Sequence, residues 1–326
     1  MSNLTEKIFS ANHSSFESVA LEVFKFQYEG VDLYRQFCTS LKKNRASVNS
    51  IADIPFLPIE FFKSHIIIHS EKKAERIFAS SGTTGQVSSK HYVADLCLYE
   101  RSFVKGFERA YGNVQDYVIL ALLPSYLERD NSSLVYMAKD LIEKTTDKGS
   151  DFFLHDHERL LEQLHILNKE KCKTILIGVT FALLDFAEKF KINFPELIVM
   201  ETGGMKGKRE EMTREEVHLC LRSAFGVNQI HSEYGMTELL SQAYSKGNGI
   251  FEYPPWMKVL TRDLYEPLRL QQDDIAGAVN VIDLANLYSC SFIATGDLGK
   301  VNPDGSFEIL GRMDNAEIRG CNLMVV

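Results

Sequence analysis

Apolar residues recur at helical spacing early in the chain: Phe16, Val19, Ala20, Val23 and Phe24 fall at intervals of one to four positions and mark one face of an amphipathic helix. That face predicts a helical, core-facing opening within the first fifty residues. The next segment, IPFLPIEFF, contains Pro55 and Pro58, which disfavour a continuous helix and hold the chain extended as a loop leading into the first sheet. From Arg76 onward the period switches. Apolar runs at 117–123, 174–179 and 197–202 end near Gly, Pro or Ser and predict strands, while 157–171 and 208–225 carry helical patterns between them. This alternation predicts α/β layers around a largely parallel sheet over residues 1–244. After Tyr244 short strands and turns take over, with AGAVNVIDL, the turn Asn302-Pro303-Asp304-Gly305 and then SFEILG, so residues 245–326 are expected to form a smaller β-rich subdomain.

Composition narrows the function classes. With 326 residues, 45% of them hydrophobic, the chain can bury a large core. The 44 acidic and 36 basic residues give a formal charge of −8 and are spread along the length, with no Lys/Arg block to neutralise a run of phosphates, so nucleic acid is not expected as a partner. Six cysteines, at 38, 97, 172, 220, 290 and 321, lie far apart without a CxxC pair and read as free thiols in a reducing compartment. The N-terminus carries no long apolar run, and apolar stretches such as 175–179 are far shorter than the roughly 20 residues of a membrane helix. A cytoplasmic protein with no membrane span is expected.

Candidate chemistry begins at Ser80-Ser81-Gly82-Thr83-Thr84-Gly85, directly after the apolar pair Ile77-Phe78. Small residues let backbone N–H groups approach an anion, and the hydroxyls add donors, so such a loop can cradle a polyphosphate. The Walker pattern GxxxxGK[ST] is absent, which argues against kinases and GTPases of that class. Taken alone, such a cluster is more often an ordinary turn.

Three further segments follow. Glu201-Thr202-Gly203-Gly204 ends an apolar strand, and Glu233-Tyr234-Gly235-Met236-Thr237-Glu238 combines a carboxylate suited to a hard cation with an aromatic surface suited to a base. Thr295-Gly296-Asp297 and Gly311-Arg312-Met313-Asp314 come later. In this order the segments resemble the phosphate loop, glycine turn, YGxTE, TGD and GRxD motifs of the adenylate-forming superfamily. The resemblance implies that Ser80 to Gly85 bind phosphate, that Gly203 and Gly204 pass along the adenine face, and that Tyr234, beside Gly235, stacks on adenine. It further implies that Thr237 contacts the α-phosphate, Glu238 ligates Mg2+, Asp297 accepts from the ribose hydroxyls, Arg312 lies near ribose or phosphate, and Asp314 marks a hinge. Val87 stands where proline is usual, and Lys90 is the candidate lysine of the loop.

IPFLPIEFFK at 54–63, LPSYLER with the following SSLVYM, and EYGMTELLSQAY resemble LuxE-type acyl-protein synthetases over nearly the whole chain from Ile54. This resemblance implies the N-terminal domain fold of adenylate-forming enzymes, α/β with layered sheets, and a C-terminal domain that is essentially absent, since the sequence stops at Val326. It implies ATP and Mg2+ as cofactors, a carboxylic and by analogy fatty acid as substrate, and transfer of the acyl group to Cys321 or to a protein partner, a reductase or acyl carrier protein. Cys321 lies in Arg319-Gly320-Cys321-Asn322, where Arg319 would favour its thiolate. Its bland alternative is a small buried hydrophobe, the role expected of the other five cysteines.

Lys90 or Lys206 would absorb developing charge, and the acyl pocket is expected at 177–186, with Gly178 and Ala182 leaving room. His155-Asp156-His157 reads as a helix start capped by Asp156 rather than a metal pair, and His231 either borders the acyl pocket or is structural. Two other functions compete. One is a phenylacetate-type CoA or carrier-protein ligase, the other a non-catalytic nucleotide-binding subunit of an acyl pathway.

Overall fold

The computed structural model describes residues 2–80, 87–123, 131–146, 149–203 and 212–313. Three helices open it: α1 (Ser2–Phe9), α2 (Phe16–Gly30) and α3 (Asp32–Ser40). Phe16, Val19, Ala20, Val23 and Phe24 are all buried on α2, as their spacing predicts. The Pro-punctuated segment is more ordered than a loop. It forms a two-residue strand, β1 (Leu57–Pro58), parallel to a later strand at Ile293 and Ala294, and then the short helix α4 (Phe61–Ser64).

A separate antiparallel hairpin follows, β2 (Arg76–Ala79) with β3 (Lys90–Val93), leading to α5 (Leu96–Tyr111). The α/β part then runs β4 (Val118–Leu122), α6 (Ser133–Lys144), β5 (Asp151–Phe152), α7 (His157–Glu170), β6 (Thr174–Val179), α8 (Thr180–Lys189), β7 (Ile198–Thr202), α9 (Arg214–Phe225) and β8 (His231–Tyr234). The remaining strands are β9 (Ala243–Ser245), β10 (Ile250–Glu252), β11 (Met257–Arg262), β12 (Gly277–Asp283), β13 (Phe292–Val301) and β14 (Phe307–Arg312).

One sheet contains all strands except the β2–β3 hairpin, in the order β11-β12-β13-β14-β10-β9-β8-β7-β6-β4-β5, with β1 paired to β13. Its β5-β4-β6-β7-β8 half is parallel. The other half, from β9 to β11, is antiparallel. The mixed character has a local cause. Strands β4 and β6, VILAL and TILIGV, are buried at every position, as parallel strands covered on both faces require, whereas β14 grades from buried Phe307 to exposed Arg312. The change in pattern after Tyr244 falls inside β9, across which the sheet continues.

Helix α9 begins at Arg214, where Thr213 and Glu216 form a reciprocal capping box that fixes its first turn; positions 208–211 of the expected helix lie outside the described residues. At α7 the Asp156 carboxylate accepts from Arg159 N at 3.0 Å, so Asp156 is the helix cap that the sequence predicts. No group of three or more potential metal ligands occurs among the described residues, and no described helix is long and apolar enough to cross a membrane.

Helix α2 docks on the antiparallel half. Phe24, Tyr34 and Phe56 surround the Phe292 ring, with centroids 5.9 to 6.3 Å away. Each such fully buried side chain contributes about 1.5–3 kcal/mol relative to leaving it exposed. Beside them the buried Gln27 Nε2 donates to the carbonyls of Asn286 and Leu287, each at 2.9 Å, and its Oε1 accepts from Ser291 N at 3.0 Å. The helical opening thereby fixes the 286–291 turn.

Candidate active site

The hairpin presents the residues that bracket the Ser/Thr/Gly cluster. Ser80 N donates to Ser89 O at 3.0 Å, Ser89 N donates to Ser80 Oγ at 3.0 Å, and their hydroxyls lie 2.9 Å apart. These bonds close the neck of the segment. Ser80 is therefore placed, while Ser81, Gly82, Thr83, Thr84 and Gly85 lie outside the described residues, as do Gly204, Lys206, Asp314, Arg319 and Cys321. Lys90 opens β3 opposite Ala79 with its side chain exposed, and the next residue, His91, is wholly buried.

Just beyond this neck His91 Nδ1 lies 2.8 Å from Thr237 O, and the Ser89 hydroxyl lies near enough to the Glu238 carboxyl to favour its ionised form, which brings the Ser/Thr/Gly hairpin and the YGMTE segment together. Glu238 is only 4% exposed. Burial pushes its carboxyl above the usual range, against the nearby Ser89 hydroxyl and the positive charges of Arg312 and Lys63, which pull it down. A bound cation would act against this burial and pull the carboxyl back down. Because Mg2+ is commonly held by one or two protein carboxylates together with substrate phosphates and water, this donor set fits the ion that the resemblance implies.

The other end of YGMTE meets the TGD and GRM segments. Tyr234 closes β8, and its hydroxyl donates to Asp297 Oδ2 at 2.8 Å. Phe251 and Phe307 meet the Tyr234 ring edge to face, with centroids at 6.0 and 5.5 Å, and fix its plane. Asp297 and Arg312 are direct partners in the β13–β14 register, with Arg312 Nε 3.4 Å from Asp297 Oδ1 and an otherwise solvent-exposed guanidinium side chain. Burial raises the Asp297 carboxyl despite the Tyr234 hydrogen bond and the charges of Arg312 and Arg262. Two carboxylate oxygens offer about four acceptor positions, so the Tyr234 and Arg312 contacts leave capacity for a pair of hydroxyls.

Two glycines are used for reasons of space and backbone angle. A Cβ on Gly235 would stand 2.3 Å from Glu233 Oε1, whose side chain Thr202 holds by a hydrogen bond. Gly203 turns the chain out of β7 at φ +69°, in the left-handed region that favours glycine. Beneath it Thr180 Oγ1 lies 2.9 Å from Gly203 O and 2.7 Å from Glu201 Oε2. Burial alone would raise the Glu201 carboxyl, but hydrogen bonds from Thr180 and Ser232, with His218 close by, bring it below its ordinary value. The His218 Nε2 contact at 3.7 Å is longer than a hydrogen bond.

Several expectations need correction. Gly178 leaves no room for an acyl chain, because a Cβ there would meet the Leu183 side chain at 2.8 Å and Leu122 O at 3.2 Å. Cys38 and Cys290 are buried as expected of small hydrophobes, but Cys97 and Cys220 are exposed and Cys172 is half-buried. His231 contacts the Tyr111 hydroxyl at 3.1 Å and faces α5.

Sequence reading also missed His91, Asp283 and Asn286, which surround Thr237 and Glu238. Asp283 and Asn286 carried a signal: both are polar residues in or beside VIDLAN, an apolar run where a polar side chain must find internal partners. His91 carried none, since its partners lie 146 and 195 positions away.

The fold aligns with solved structures of low sequence identity. An open conformation of 2-hydroxyisobutyryl-CoA ligase, in complex with 2-HIB-AMP and CoA, superposes with a TM-score of 0.64 at 14% identity, covering 94% of this chain and 72% of that one. ATP-bound MatB from Rhodopseudomonas palustris gives 0.55 at 18% identity, covering 72% and 47%, so this chain spans about half the length of MatB. No curated relative matches. At these identities the structures show a shared fold. The sequence model of the family described as acyl-protein synthetase, LuxE, matches residues 6–326, and the chain belongs to that family.

Proposed function

We propose that this protein activates a carboxylic acid with ATP and passes the resulting acyl group to a thiol. The observation that carries the reading is the convergence of four sequence segments on one site: the Ser80–Ser89 neck with its neighbour His91 against Thr237 and Glu238, and Tyr234 against Asp297 and Arg312. Family membership and the adenylate-forming fold support it.

In the first step a carboxylate oxygen of the acid attacks the α-phosphorus, the bond to the β-phosphate oxygen breaks, and pyrophosphate leaves. Asp297 would accept from the ribose hydroxyls, and the Tyr234 ring, fixed by its hydroxyl, would offer a face to adenine. The Thr237 hydroxyl, the Ser80 end of the loop and Arg312 would meet oxygens that gain charge. When bound, Mg2+ on Glu238 would neutralise phosphate charge. In the second step a thiolate sulfur attacks the acyl carbonyl, a C–S bond forms, the C–O bond to phosphate breaks, and AMP leaves. Cys321, or a thiol of a partner, is the proposed acceptor, and the acid is proposed to be fatty by family analogy.

The test is acid-dependent pyrophosphate exchange over a panel of fatty and aromatic acids, with intact-mass detection of acylation in the wild type and Cys321→Ser. Exchange in both, with a hydroxylamine-labile adduct only in the wild type, is expected. CoA-dependent AMP release without an adduct would move the acceptor to pantetheine. ATP binding with no exchange for any acid would replace the enzyme reading by that of a nucleotide-binding subunit.

A further inference from the structure

Thr237 and Glu238 sit in a turn rather than in a helix or strand, so regular backbone pairing does not position them. Side chains from distant parts of the chain do so instead. His91 Nδ1 lies 2.8 Å from Thr237 O, and Asn286 Nδ2 donates to Glu238 O at 2.9 Å. The two clamping residues also bond one another, His91 Nε2 lying 3.0 Å from Asn286 Oδ1. The orientation of the Asn286 amide follows from its second contact: Nδ2 also donates to Cys290 O at 2.9 Å, which leaves Oδ1 toward His91 Nε2; with burial lowering His91 to about 4, the neutral ring has one N–H to give, to Thr237 O or to Asn286 Oδ1. The same turn grips the next residues, since Asp283 accepts from Leu240 N at 2.7 Å, Ser241 N at 2.9 Å and the Ser241 hydroxyl at 2.5 Å. Gln27 in turn holds Asn286 O from α2. His91, Asn286, Asp283 and Gln27 are each at most 1% exposed, and a network fixed this deeply has one geometry.

We propose that His91 and Asn286 are positioning residues: by holding the carbonyls of Thr237 and Glu238 they set where the Thr237 hydroxyl and Glu238 carboxylate meet the metal-bound phosphates of ATP. His91 belongs to β3, the strand leaving the phosphate-loop hairpin, so the clamp also ties the position of that hairpin to the YGMTE turn. The inference rests on the adenylation reading for its reaction and on the fold for its geometry. A rigid frame is what phosphoryl chemistry demands, because a displacement near 1 Å can cost on the order of a hundredfold in rate.

The experiment compares the wild type, His91→Phe, which keeps a ring and loses both ring nitrogens, and His91→Gln, which can offer a donor to Thr237 O. Calorimetry measures binding of Mg·ATP and of ATP with chelator, pyrophosphate exchange measures turnover, and melting temperature verifies folding. His91→Phe is expected to bind Mg·ATP about tenfold more weakly with little change for metal-free ATP, and to lose about a hundredfold in exchange rate with the KM for the acid within about twofold, the loss of roughly one hydrogen bond and of alignment. His91→Gln should recover part of both losses. A purely structural role would lower the melting temperature and leave the Mg·ATP affinity and the rate per folded molecule as in the wild type, and that result overturns the proposal. Should His91→Phe fail to fold, His91→Gln decides: an intermediate loss supports the clamp and wild-type behaviour refutes it. Wild-type binding of Mg·ATP without exchange would sink the adenylation reading while the binding comparison still judges the clamp. No Mg·ATP binding by the wild type would sink both.

Discussion

The Tyr234 hydroxyl donates to Asp297 Oδ2 at 2.8 Å, joining the end of β8 to the middle of β13 across 63 positions. The bond immobilises the ring and spends one acceptor site of a carboxylate that is only 8% exposed. Tyr234→Phe should therefore keep the ring, lose about 1 kcal/mol of stability and raise the KM for ATP severalfold. Asp297→Ala removes the acceptor itself and should raise that KM by about 10- to 100-fold, from the loss of charge-assisted hydrogen bonds. Steady-state kinetics with ATP as the varied substrate checks both, and a larger defect in Tyr234→Phe than in Asp297→Ala would contradict the assignment.

Gln27→Leu should be strongly destabilising although leucine fits an apolar helix. Without the amide, the carbonyls of Asn286 and Leu287 and the N–H of Ser291 stay buried without that partner. Leaving such groups unsatisfied costs about 1–3 kcal/mol each before relaxation. A melting-temperature drop of several degrees is expected, and an unchanged value would show that the turn is held by other contacts.

Burial, with Lys246 adding to it, lowers His231 from 6.5 to about 4. Between these values the unfolded chain binds the proton and the folded chain does not, so this histidine makes the protein less stable as pH falls from 6.5 toward 4 and has no further effect below. Buried carboxyls whose pKa is raised, such as Asp283, act in the opposite direction, so the measurement is a difference. His231→Gln should flatten the loss of melting temperature over that window relative to the wild type. Parallel curves would rule out a titrating His231 as a contributor.

The cysteines should sort by exposure. Cys97 and Cys220 are exposed, whereas Cys38 and Cys290 are buried, with burial pushing the Cys38 thiol up to about 12 and Cys290 higher than its ordinary value. Brief maleimide treatment of the native protein, followed by peptide mass mapping, should label Cys97 and Cys220 and spare Cys38 and Cys290 until denaturant is added. Rapid native labelling of Cys290 would mean that the 286–291 turn opens.

Much of the architecture was legible in local pattern. The strand at 174–179 and the burial of α2 follow from hydrophobic periodicity, and Asp156 declares itself as a cap by its position before the helical run. The first turn of α9 is set by the Thr213–Glu216 capping box, a reciprocal pairing of side chain and backbone that hydrophobic period does not report. Gly178 misled for a related reason: a glycine in an apolar segment signals space, and only the fold shows that Leu183 fills it.

The motif residues stand in short contiguous groups, so their side-chain types and their order are visible along the chain without any fold. Tertiary structure alone decided which of them meet and what holds them. The Tyr234–Asp297 bond, the Ser89–Glu238 contact and the His91–Asn286 clamp all join residues from separate segments. A buried hydrogen bond needs a donor and an acceptor about 3 Å apart with water excluded, and sheet order and register create that condition between strands that are distant in sequence.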